Sequence, residues 1–176
     1  MKGLTIEGCQ AWLSSHVPGS CGEAPAYFPA IPLASLHSLG RDLPVDSGKK
    51  VFLAKVVFER LRSEKEFLLW LHDWVVWPSS GHVPLILRLR ESPGESRGLE
   101  DAPGILITRE EIDDGISIVI LALQFYWDCL VVGASGSFAF FTSHDEFCSV
   151  MSTDEASLEG LMDPLGPAGG PEGDRS

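Results

Sequence analysis

Ser143-His-Asp-Glu146 places a hydroxyl, an imidazole and two carboxylates in successive positions, and Asp128 stands upstream of them. These are the residue types of general acid–base chemistry. An imidazole takes or gives a proton near neutral pH, and a carboxylate beside it orients the ring and stabilises its charged form. The candidate site residues are therefore Asp128, His144, Asp145 and Glu146. The same four positions also spell a helix start: Ser143 as N-cap and Glu146 three residues on form a capping box, with His144 as the first helical residue.

Other constellations carry less. Adding Cys148, Cys129 or His72 to His144 gives the sulfur and nitrogen donors that zinc accepts. The spacing is not that of a ligand pair, however, and both cysteines have the apolar neighbours of core thiols. The sequence thus assigns no metal and no cofactor. None of the cysteines at 9, 21, 129 and 148 forms a C-x-x-C pair, and a Cys–His nucleophile pair has no specific spacing behind it. Gly133-Ala-Ser-Gly136 lacks the following Lys of a phosphate loop and reads as a turn. Trp70, Trp74, Trp77 and Trp127 could line a pocket, but aromatic residues in such apolar runs are core-formers first. Arg88, Arg90, Arg97 and Arg109 could grip an anion, yet nearby Glu and Asp offer them partners.

A hairpin is what must position the candidate site. Trp-Asp-Cys-Leu-Val-Val from Trp127 and Phe-Ala-Phe-Phe-Thr ending at Thr142 flank the Gly/Ser turn 133–137. Apolar, β-branched and aromatic runs around such a turn predict two antiparallel strands. Their outer ends, Asp128 and Ser143–Glu146, would then lie side by side.

Upstream, Thr5 can cap a helix to about Leu13 with Ile6, Cys9, Trp12 and Leu13 on one face. The segment 17–44 is Pro-, Gly- and Ser-rich, a long connector with at most a turn of helix near Ala34–Leu39. Asp46 or Ser47 starts a helix to about Arg62, whose apolar face is Ala54, Val57, Phe58 and Leu61. Phe67–Trp77 is apolar except for His72 and Asp73 and reads as a buried strand ending before Pro78. The segment 79–90 fits a helix and a strand alike, since Leu85, Leu87 and Leu89 alternate with Ile86, Arg88 and Arg90. Thr108-Arg-Glu-Glu111 is a capping box for a helix to about Gln124. After Ser152 the composition turns acidic and Gly/Pro-rich, which predicts a disordered tail over 153–176.

The expected fold class is α+β: one domain over residues 1–152, with a small, mainly antiparallel sheet packed against two or three helices. The 176 residues are 44% hydrophobic, enough for a full core, and the net charge is −12. Such a surface repels phosphate, so no nucleic acid is expected as partner, whereas a basic protein could be steered to it. The run Ile116–Val132 is interrupted by Ser117, Gln124 and Asp128, so no membrane span is expected. The N-terminus lacks the apolar core of a signal peptide, and the thiols read as reduced, which points to the cytoplasm.

Asp73-Trp-Val-Val-Trp-Pro-Ser-Ser80, Leu99-Glu-Asp-Ala-Pro-Gly104, Trp127-Asp128 and Ser143-His-Asp-Glu146 resemble segments of a group of uncharacterised bacterial proteins, over roughly residues 65 to 148. That resemblance implies no activity and no site residue. In size and charge alone the chain is similar to immunity proteins of bacterial toxin systems. The expectation is a non-enzymatic protein-binding domain, immunity-like, with a basic protein partner. The alternative is a small hydrolase-like or metal-dependent enzyme with its site at the Asp128/His144 end of the hairpin.

Overall fold

A computed structural model describes residues 1–17, 37–74, 83–91, 94–156 and 158. Among these residues seven strands form one sheet: β1 (Lys2–Leu4), β2 (His37–Asp42), β3 (Glu66–Leu71), β4 (Gly104–Thr108), β5 (Cys129–Gly133), β6 (Phe138–Thr142) and β7 (Phe147–Ser152). Their spatial order is β1-β4-β3-β5-β6-β7-β2, and every neighbouring pair is antiparallel. Among the described residues four α-helices accompany them: α1 (Ile6–His16), α2 (Ser47–Leu61), α3 (Val83–Glu91) and α4 (Ile112–Gln124). The fold is α+β, with a larger sheet than the sequence suggested.

The sheet is covered on both faces. Phe67, Leu69 and Leu71 of β3 join Val131, Phe140 and Val150 under α2, α3 and α4, while Leu68 and Trp70 join Leu130, Val132 and Ala139 under α1. A strand buried on both faces shows no polar alternation, which is why β3 reads as a continuous apolar run. It ends at Leu71, short of the expected Trp77, and residues 75–77 lie outside the described residues.

The helix starts follow their caps. Thr5 Oγ1 accepts from Gly8 N–H at 3.2 Å, and the Asp46 carboxylate accepts from Lys49 N–H at 2.8 Å. Glu111 reaches back to Thr108 N–H at 2.9 Å, so the chain makes one 3₁₀ turn, Arg109–Glu111, before α4. The β-branched residues of α4 pack on its buried face, where burial of Ile118 and Val119 outweighs their weak preference for strands.

Several expectations need correction. The ambiguous segment is helical over Val83–Glu91, with Ile86 buried. Residues 37–39, expected in a turn of helix, belong to strand β2, and residues 34–36 lie outside the described residues. β1, β4 and β7 were not legible as strands. Beyond Ser152, where β7 ends, Leu158 is buried in the larger core, and 159–176 lie outside the described residues.

Candidate functional site

The end of α4 delivers Asp128. Tyr126 takes the left-handed conformation (φ 53°), and Trp127 N–H bonds back to Ala122 O at 2.9 Å, which is a Schellman-type helix stop. Trp127 is thereby turned into the core at 1% exposure, and Asp128 emerges immediately before β5. Lys50 lies over the Tyr126 ring, 3.7 Å from its centroid, and holds that turn from α2.

β3 delivers His72 and Asp73. The registered ladder between β3 and β5 ends at Leu71↔Cys129, and His72 N–H then donates to Asp128 O at 2.9 Å while Asp128 N–H donates to Asp73 O at 3.0 Å. His72 and Asp128 are thus cross-strand neighbours just past the last pair.

The β6–β7 connection delivers His144. Ser143–Glu146 is a hairpin turn rather than a helix start: Ser143 N–H donates to Phe147 O at 2.8 Å, and Asp145 N–H donates to Ser143 Oγ at 3.2 Å. Glu146 closes the turn at φ 61°. The capping-box reading fails because Glu146 is needed in a left-handed position and the chain goes straight on into β7. Asp128 Oδ1 accepts from both His144 N–H, at 2.6 Å, and His144 Nδ1, at 2.8 Å. The proximity expected from the hairpin is observed.

Asp128 is nearly buried, its side chain 8% exposed, while that of His144 is 25% exposed and that of Asp145 is 82% exposed. His144 Nε2 lies 3.6 Å from Asp145 Oδ1, and His72 Nδ1 lies 3.5 Å from Asp73 Oδ2. Ligand atoms of His72, Asp73 and Asp128 fall within 4.8 Å of one another. Leu43 N–H donates to Glu146 O, which brings exposed Asp42 at the end of β2 to the same end of the sheet. Partial burial pushes the His144 imidazole down, but the Asp128 hydrogen bond and the charges of Asp128, Asp145 and Asp73 outweigh it, so its pKa is raised.

This end of the sheet can hold a proton on His144 and present several carboxylates. Among the described residues it places no activated nucleophile beside the imidazole. Ser143 is buried and its hydroxyl serves the turn. Cys129 and Cys148 are fully buried in the core on the helix-rich face, and burial pushes the Cys148 thiol up to about 12 and that of Cys129 up as well. The cysteine versions of a metal site are thereby removed. Trp70 and Trp127 are core residues. The arginines go to different tasks: Arg97 pairs with Glu95 at 2.6 Å, Arg109 donates to the Arg62 carbonyl, and Arg90 donates to the Ala102 carbonyl.

Sequence reading offered His72 only as an added donor beside His144 and did not single out Asp73. Their signal was present, since they are the polar break in the Phe67–Trp77 run, and it was absorbed into an overlong strand. No family model, curated protein or solved structure matches the chain.

Proposed function

We propose that the chain is a non-enzymatic protein-binding domain, immunity-like in size and charge, that presents the acidic end of its sheet to a basic partner. One observation carries the reading: Asp42, Asp73, Asp145 and Glu146, all exposed, gather at one end of the sheet around buried Asp128. Together with a net charge of −12, such a patch speeds encounter with a positive surface and disfavours wrong partners. The cytoplasm fits this role, because Cys9, Cys129 and Cys148 are free, buried thiols.

The test is calorimetric titration with the protein encoded beside this chain's gene, at low and at high salt. Binding that weakens with salt, and weakens at least about tenfold in Asp145→Lys/Glu146→Lys, supports the reading. A neighbouring protein that does not bind, or that binds the variant as well as the parent, contradicts it.

The hydrolase-like alternative is favoured by the 2.8 Å His144–Asp128 bond, which has the form of an imidazole oriented by a buried carboxylate. Turnover of an activated ester by the parent, abolished in His144→Ala, would favour it over the binding reading.

A further inference from the structure

We infer that His72, Asp73 and Asp128 form a binding site for one divalent first-row transition ion, zinc or manganese, with His144 as a positioning residue. The inference stands apart from the protein-binding reading, since metal uptake needs no partner.

The donor set comes from two adjacent strands whose register fixes it. His72 and Asp128 face one another just past the last β3–β5 pair, joined by the 2.9 Å bond from His72 N–H to Asp128 O. The return bond from Asp128 N–H to Asp73 O turns the chain at the end of β3 and brings the third donor alongside. One atom from each residue then lies within 4.8 Å of the others, a spacing that one ion at about 2.0–2.2 Å from each donor can span with small side-chain adjustments.

A second observation is independent of that spacing. Asp128 is a buried carboxylate, and buried charges are ordinarily paired. Among the described residues, Asp73, Asp128 and Asp145 have ion pairs with histidines only, and with no Lys or Arg. Three carboxylates close together, one of them nearly out of water, make a negative field that a divalent cation offsets.

His144 already occupies Asp128 Oδ1 through its N–H and Nδ1, which leaves Oδ2 to the ion. A second group that fixes a ligating carboxylate in this way raises affinity without touching the metal. Imidazole with two carboxylates suits a borderline ion better than magnesium or calcium, which prefer all-oxygen shells. The thiols of Cys129 and Cys148 are packed into the core on the helix-rich face and do not compete for it.

The test is isothermal titration of the metal-free protein with zinc chloride and manganese chloride, with magnesium chloride as the hard-ion control and the melting temperature followed in parallel. The expected result is one zinc or manganese per chain, much weaker magnesium, and a higher melting temperature with the bound ion. His72→Ala and Asp73→Asn, at partly exposed positions outside the core, should each weaken uptake at least about tenfold while keeping the metal-free melting temperature. His144→Ala should weaken it less, and His144→Gln, whose amide can still donate to Oδ1, should recover part of the loss. No one-to-one uptake of either ion overturns the site. So does uptake that His72→Ala and Asp73→Asn leave unchanged.

Discussion

Asp128 Oδ1 accepts two hydrogen bonds from one residue, His144: its backbone N–H at 2.6 Å and its ring Nδ1 at 2.8 Å. The first bond fixes where the β6–β7 turn sits, and the second fixes which way the imidazole points. Both span the whole β5–β6 hairpin, so the pair ties the two outer ends of that hairpin together.

The pair makes stability depend on pH. The folded-state pKa of His144 is raised above 6.5 by Asp128 and its neighbours. A raised imidazole stabilises the fold fully below the ordinary value, and that contribution is lost as pH rises through the folded-state value. Thermal unfolding of the parent and of His144→Ala across pH 5 to 9 should therefore show the largest gap on the acidic side of about pH 6.5, shrinking above it. A gap that grows with rising pH would contradict the assignment.

Gly104 is a site of close approach. A Cβ there would overlap Cys9 Sγ and come to 3.3 Å of the Leu4 carbonyl, where β1 and α1 dock on β4. Gly104→Ala should cost about 1–3 kcal/mol by overpacking. Cys9→Ala in the same chain should restore part of the loss, and chemical denaturation of the double-mutant cycle measures how much. Additive single losses would show that the thiol is not the obstacle.

Thr142 and Arg90 are buried polar residues that are incompletely bonded among the described residues. Thr142 Oγ1 finds no partner, and Arg90, 1% exposed, uses Nη2 on the Ala102 carbonyl while its Nε and Nη1 find none. Burial lowers the Arg90 pKa, with only partial compensation from Glu95. Thr142→Val and Arg90→Met should each raise stability, by about 1–2 kcal/mol, because each removes an unmet desolvation penalty while keeping volume. A loss of stability in urea denaturation for either would mean that the group has a partner in the working protein.

Among the described residues two non-glycine residues hold positive φ, with opposite expectations. Glu146, at φ 61°, is exposed, so Glu146→Gly should stabilise by about 1 kcal/mol through relief of strain. Tyr126, at φ 53°, carries the Lys50 contact. That contact is worth about 0.5–2 kcal/mol, so Tyr126→Gly should give no net gain. Melting temperatures of the two variants separate the cases.

The parts of this fold that the sequence showed are those set by local signals. Thr5, Asp46 and Thr108 each mark a helix start through a cap, and the Gly/Ser turn between β5 and β6 marks the hairpin. What it hid depends on distant partners. β1 is three residues long and β2 reads His-Ser-Leu-Gly-Arg-Asp; each is a strand only because β4 or β7 lies beside it. Ser143–Glu146 fits a capping box equally well, and the path into β7 decides against it. His72 and Asp73 join the site through the register of β3 against β5, which no spacing along the chain reveals.

The pairing of Asp128 with His144 underlies both the acidic end of the sheet and the metal site inferred beside it. The most direct test is the titration of the His144 ring by NMR in the metal-free parent and in Asp128→Asn. The account predicts a pKa above 6.5 in the parent and a clear fall in the variant, as hydrogen bond and charge are both weakened. A parent pKa at or below the ordinary value, or one unchanged by Asp128→Asn, would contradict it.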